Sequence, residues 1–221
     1  MGRWVRTNRG FLVLLLCFGL FRTAIADWNP IPSGSMRPNL LEGDVVFVNR
    51  LAYNLKVPLT DVVLARTGEP KRGDVVTFSS PDDGTRLIKR LVALPGDVVE
   101  MRHEILFING EAARYDAAQT LQEKVATGRT VDATRLTERV QGSERRVQWL
   151  PGIAARNSFA PIVVPEGEYL MLGDNRDDSA DSRYFGFVPR QLLIGRALGV
   201  MVSADIQGHW RPRFERFGQK L

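Results

Sequence analysis

The chain is short of the side chains on which most hydrolases and metalloproteins depend. One cysteine, Cys17, occurs in 221 residues, so no internal disulfide forms and cysteine usage does not report a redox compartment. There are two histidines, His103 and His209. His103-Glu104 begins a zinc-protease pattern, but Phe107 stands where the second histidine is needed. With one cysteine and two histidines, a zinc site has too few ligands. Neither the G-x-S-x-G elbow nor the S-x-x-K box is present. No apolar run is long: the uninterrupted stretch Phe11–Phe21 falls short of the roughly 20 residues that span a bilayer. Charge of one sign is also missing from the body. The net charge is +5, with Arg3, Arg6, Arg9 and Arg22 gathered at the N-terminus and mixed signs beyond them, so no nucleic acid partner is indicated.

What is present reads as a globular protein. Charged residues make up 25% and hydrophobic residues 44%, a balance of folded rather than disordered chains. The length suits one domain or a core with a sizeable insert. At the N-terminus, basic residues precede the apolar run, which places the rest of the chain outside the cytoplasm. Two readings fit that run. It extends through Ile25 and Ala26 as a marginal membrane anchor, with Arg22 snorkelling to the outer headgroups. Or it is a signal peptide cleaved after Ala24-Ile25-Ala26.

Three segments share a pattern: EGDVVFV (42–48), RGDVVTF (72–78) and PGDVVEM (95–101). Gly-Asp favours a turn and paired valines favour a strand, so each is a turn leading into a strand. The unequal spacing rules out a solenoid. EILFINGE (104–111) ends in Asn109-Gly110, the strongest short hairpin signal. Residues 112–148 are polar and read as an exposed insert. Strand-like runs return over 162–189 and 192–202. The expected fold is mostly β, with short connections that suggest antiparallel pairing. The C-terminal segment HWRPRFERFGQKL alternates arginine with aromatics and reads as a solvated tail or one resting on acidic lipid.

The acidic loop Asp174–Asp181 has the composition of a calcium loop. Neither register, from Asp174 or from Asp177, puts glycine at the sixth position with the right ligands. Serine chemistry with a base other than histidine remains. Lysine is the candidate, and there are five lysines against 25 arginines. Lys89 stands out in RLIKRLVALPGD. In an extended strand it shares a face with Leu87 and Leu91. Burial among apolar groups lowers an amine's pKa, and a neutral amine can take a serine's proton. The alternative is a snorkelling lysine with its amine in water.

Four segments together resemble bacterial type I signal peptidase, a serine endopeptidase family with a Ser/Lys dyad: IPSGSMRPNLLEGD, KRGDVVTF, LIKRLVALPGD and GDNRDDSADSRYFGFVP. Their order and the membrane-proximal place of the first match, over residues 31 to about 100 and 162 to about 200. The resemblance implies a single N-terminal transmembrane helix and a β-rich catalytic domain with an inserted subdomain. The corresponding division is 1–27 cytoplasmic tail and anchor, 28–100 and 162–205 catalytic core, 101–161 insert and 206–221 tail. It implies Ser35 as nucleophile and Lys89 as general base. It implies Ser33 with the Ser35 backbone N–H as the oxyanion hole, Ser179 as the hydroxyl that holds the lysine amine, and Asp181 with Arg183 as a supporting pair. Ile31, Pro32, Met36, Leu40 and Ile88 are expected to line shallow pockets for small residues at −1 and −3. No metal and no cofactor are implied. The implied partners are signal peptides of pre-proteins, the lipid bilayer of the bacterial inner membrane with the catalytic domain outside, and a nearby secretion translocon. Two positions depart from the family pattern, Asp178 where asparagine is usual and Asn39 where threonine is common. Three rival readings stay open: a processing enzyme dedicated to one exported substrate, a tethered binding module without chemistry, and a Ser-His-Asp hydrolase using His103 or His209.

Overall fold

A computed structural model describes residues 2–57, 60, 62–125 and 128–221. The three Gly-Asp-Val-Val segments form three strand starts by one device. Gly43, Gly73 and Gly96 all take positive φ, at 87°, 94° and 84°. At each, the following aspartate carboxylate accepts a backbone N–H three residues back: Asp44 from Leu41 (2.8 Å), Asp74 from Lys71 (3.0 Å) and Asp97 from Leu94 (2.6 Å). The valines then enter strands Asp44–Asn49, Val75–Ser79 and Val98–Arg102. Asn109 and Gly110 have φ of 52° and 80°, and join Ile105–Ile108 to Glu111–Ala112 as the hairpin signal predicts.

The largest sheet has eight strands. Its order is Ala26–Pro30, Asp44–Asn49, Leu193–Asp205, Val75–Ser79, Arg86–Ala93, Glu168–Leu172 and Val188–Pro189, with Arg211–Pro212 paired to Leu193–Asp205. A four-stranded sheet (Phe159–Val163, Val98–Arg102, Ile105–Ile108, Glu111–Ala112) and a three-stranded sheet (Arg114–Lys124, Thr130–Val140, Ser143–Trp149) follow, with a small pair at Asn54–Lys56 and Val63–Arg66. Strand pairing is antiparallel in each sheet, and the fold is mostly β. One apolar cluster, Ile31, Met36, Leu40, Val46, Val48, Val75, Ala197 and Val200, packs beneath the IPSGSM segment. A second, centred on Val76, Phe78, Leu91 and Met171, lies across the lysine strand Arg86–Ala93.

Two expectations need correction here. The stretch 112–148 is not simply exposed: Glu138, Arg145 and Gln148 are fully buried, and Gln148 bridges to Asn175 of the acidic loop. Nor is the C-terminal segment a loose tail, because Val200 N–H donates to Gln219 O and Gly218 N–H to Val200 O. The N-terminal apolar run forms the helix Arg9–Ala24, 16 residues and so about 24 Å long. Among the described residues no helix is long and apolar enough to cross a membrane.

Candidate active site

Ser35 sits in a single 3-10 turn, Gly34–Met36, with extended Ser33 before it and Arg37 after it. The acidic loop holds this turn from outside. Asn175 N–H donates to Ser35 O and Asn175 Nδ2 to Gly34 O, both at 3.1 Å. Met36 and Ile31 pin the turn from below by entering the core. The backbone of the turn is therefore fixed on two sides, and the Ser35 side chain faces a cleft.

Lys89 reaches that cleft from the middle of its strand and donates from Nζ to Ser35 Oγ at 2.7 Å. It is 3% exposed, and among the described residues it makes no ion pair. Burial pushes its amine down to about 8; Asp181, Asp174 and Asp178 pull it up and Arg183 adds to the lowering. Desolvation prevails, and two of the three carboxylates, Asp174 and Asp181, are committed to arginines. Asp174 takes Arg90 through two bonds of 2.7 Å, and Asp181 takes Arg183 at 2.8 and 2.9 Å. Such an amine is neutral in an appreciable fraction near neutral pH and lies within reach of a hydroxyl proton.

The strand Glu168–Leu172 ends at Gly173, where the loop turns back under Ser35. A Cβ there would lie 2.2 Å from Ser179 Oγ and 2.6 Å from Ser35 O, so only glycine lets the two segments meet. Asp181 accepts the Gly173 N–H at 2.9 Å and caps the short helix Ser182–Phe185 through Arg183 N–H. The Asp181–Arg183 pair thus fixes both ends of the loop. Ser33 Oγ donates to Ser35 Oγ at 3.4 Å from an exposed position. Ser179 borders the cleft beside Lys89, but its Oγ has no hydrogen-bond partner, so the contact with the amine implied by the resemblance is not made in this structure.

The cleft encloses about 510 Å³. Of the five residues expected to line substrate pockets, Pro32 is on its wall. Ile31, Met36 and Leu40 are instead closed into the core cluster, and Ile88 packs against them. The cleft wall carries apolar Pro32, Leu87 and Ala180 together with charged Arg37, Glu42, Glu123 and Asp178. Sequence reasoning missed the contribution of the insert: Glu123, Lys124 and Val125 form part of the wall, and Arg37 ties Glu123 to Glu42. It also missed Ile206 and Gln207 on the same wall. Neither histidine is among the residues that line the cleft. His103 and His209 occupy exposed left-handed turn positions with φ of 46° and 64°.

Comparison with known proteins adds a family to this geometry. The family model described as signal peptidase, peptidase S26, matches residues 2–202. The chain is similar to signal peptidase I of Pseudomonas fluorescens, 32% identical over 97% of this chain and 78% of that protein. Signal peptidase I of Pseudomonas aeruginosa is 33% identical over the same shares. A crystal structure of a signal peptidase I from Enterococcus faecalis is 32% identical, covering 58% of this chain and 96% of that one, with a TM-score of 0.34. At that score the two backbones do not superpose closely enough to compare side chains.

Proposed function

This chain belongs to the signal peptidase family, peptidase S26, and from that membership, which makes it a serine endopeptidase, we propose that it removes N-terminal signal peptides from exported pre-proteins after small residues at −1 and −3. One observation carries the assignment of roles: among the described residues the buried Lys89 amine makes no ion pair with a carboxylate, and it stands 2.7 Å from Ser35 Oγ. Ser35 attacks the scissile carbonyl carbon while its proton passes to neutral Lys89. The oxyanion is met by the Ser35 backbone N–H and the Ser33 hydroxyl, donors aimed at charge that appears only in the transition state. The C–N bond then breaks, the Lys89 ammonium gives its proton to the departing amine, and the signal peptide stays on Ser35 as an ester. Water, losing a proton to Lys89, hydrolyses that ester and restores Ser35. Asp181 and Arg183 hold the loop, and Ser179, on the same cleft wall as Lys89, is the hydroxyl assigned to accept from the amine.

Small substrate residues are proposed to lie against Pro32, Leu87 and Ala180, apolar residues of the cleft wall. The N-terminal helix is proposed to anchor the enzyme in the bacterial inner membrane, with the catalytic sheets on the outer side, near the translocon that delivers its substrates. Support comes from its surface: Phe11, Val13, Leu14, Leu15, Leu16, Phe18 and Phe21 are all exposed around the helix. A helix that is apolar all round is one built for an apolar surrounding.

The test is cleavage of a purified pre-protein in detergent by wild type, Ser35→Ala and Lys89→Ala. Loss of about 10³-fold in both, with folding intact, is expected for a nucleophile and its base. Retained cutting by Lys89→Ala would remove the dyad.

A further inference from the structure

The family match ends at residue 202, and the cleft does not. Ile206 and Gln207 stand on its wall together with Ser33, Gly34, Ser35 and Glu42. We propose that the C-terminal segment 206–221 is part of the substrate-binding surface, with Ile206 taking an apolar side chain of the bound peptide and the Gln207 amide hydrogen-bonding its backbone. This deepens the reading of the cleft as a peptide site and rests on it.

The turn that presents these two residues is built rather than loose. Asp205 organises it, accepting from Gln207 N–H at 3.1 Å and Gly208 N–H at 3.0 Å through its carboxylate, and from Trp210 N–H at 2.9 Å through its carbonyl. Arg213 then fastens the turn to the nucleophile segment. Its guanidinium pairs with Asp205 at 3.0 Å and donates to Glu42 O at 2.9 Å. Arg216, three residues on, donates to Asn39 O at 2.9 Å and to the Asp44 carboxylate at 2.9 and 2.6 Å. The segment 39–44 that follows Ser35 is thus gripped at both ends by arginines from the tail. The approach is close: Ile206 Cγ2 and Ala204 O would lie 2.8 Å and 2.0 Å from any Cβ at position 43, which is glycine with φ of 87°. Leu221 completes the grip by packing on the cluster that holds Ile31, Met36 and Leu40. Arg213 and Arg216 are positioning residues; Ile206 and Gln207 are the substrate contacts.

The experiment uses the full-length enzyme and the same pre-protein. In Ile206→Ala/Gln207→Ala, removal of one apolar contact and one hydrogen bond should raise KM about fivefold with kcat within about twofold of wild type. The melting temperature and the pH dependence of kcat/KM should not move. Arg213→Ala should reproduce the KM rise, and Arg213→Lys should recover part of it. The same variants placed on Ser35→Ala, with binding of the uncut pre-protein measured directly, should show the same ratio in Kd. That arm stands even if the proposed chemistry fails, whereas a Ser35→Ala enzyme that still cuts would sink the chemistry alone. Unchanged KM and Kd in the folded double variant, or a fall in kcat without any change in KM, would overturn the proposal.

Discussion

Lys89 and Arg90 are neighbours in one strand, both buried, and the sheet gives them opposite fates. Arg90 meets Asp174 through two bonds of 2.7 Å, with a third to Gly73 O at 2.8 Å. Burial pushes the guanidinium down, but Asp174 outweighs it and holds it above its ordinary value. Lys89, one residue earlier on the other face, meets the Ser35 hydroxyl, and burial carries its amine down to about 8. The same fold therefore contains an ionic network in which three arginines (Arg90, Arg145 and Arg176) share two carboxylates (Asp174 and Glu138), beside an amine that has no ion pair among the described residues. Arg90 is tied into the structure by its carboxylate, and Lys89 is left with the Ser35 hydroxyl.

The contrast can be broken most severely at Arg90. Arg90→Met leaves Asp174 buried without its partner and should cost about 3–5 kcal/mol in urea unfolding. A cost under 1 kcal/mol would show that the network contributes little. Lys89→Met should act the other way, inactive yet more stable. Its folded pKa lies below the ordinary 10.5, so the folded state disfavours the ammonium, and the penalty is complete below pH 8 and fades as pH rises toward 10.5. The gain at pH 7 is about 3 kcal/mol, and it should be nearly absent at pH 10.5. In the wild-type enzyme, kcat/KM should rise with pH to a plateau above about 8, since only the neutral amine is a base. The smallest effect is expected from Asp178→Asn. Removing a carboxylate that pulls the amine up should move that limb to lower pH; a limb that stays in place, or moves up, would exclude Asp178 as an influence.

The parts legible in the sequence were those whose signal is local. Gly-Asp-Val-Val and Asn-Gly announce turns because positive φ and a side-chain acceptor are written in adjacent residues. The Ser35 and Lys89 motifs were legible through resemblance, and the strand alternation around Lys89 placed it among leucines. Thr130–Val140 was not legible. Its polar alternation reads as solvated, yet Glu138 is fully buried because its partners Arg145 and Arg176 lie 7 and 38 residues away. The tail was misread for the same reason: Arg213 and Arg216 find acceptors at residues 42 and 44, far back in the chain. Ile31, Met36 and Leu40 have the character of pocket residues, and the close packing below Ser35 takes them into the core instead.

The chain carries a stretch of the kind it is proposed to cut, Ala24-Ile25-Ala26, and the fold disposes of it. Ala24 closes the helix, while Ala26 pairs with Asn49 at the sheet edge and Arg50 N–H donates to Ile25 O at 3.0 Å. Asp27, directly after it, gathers Arg22 at 3.2 Å and Arg86 at 3.0 Å. The stretch is thus half helix and half committed to its own sheet. Under the proposed activity, self-digestion at this stretch requires the junction to open first, so resistance to it lasts as long as the junction holds.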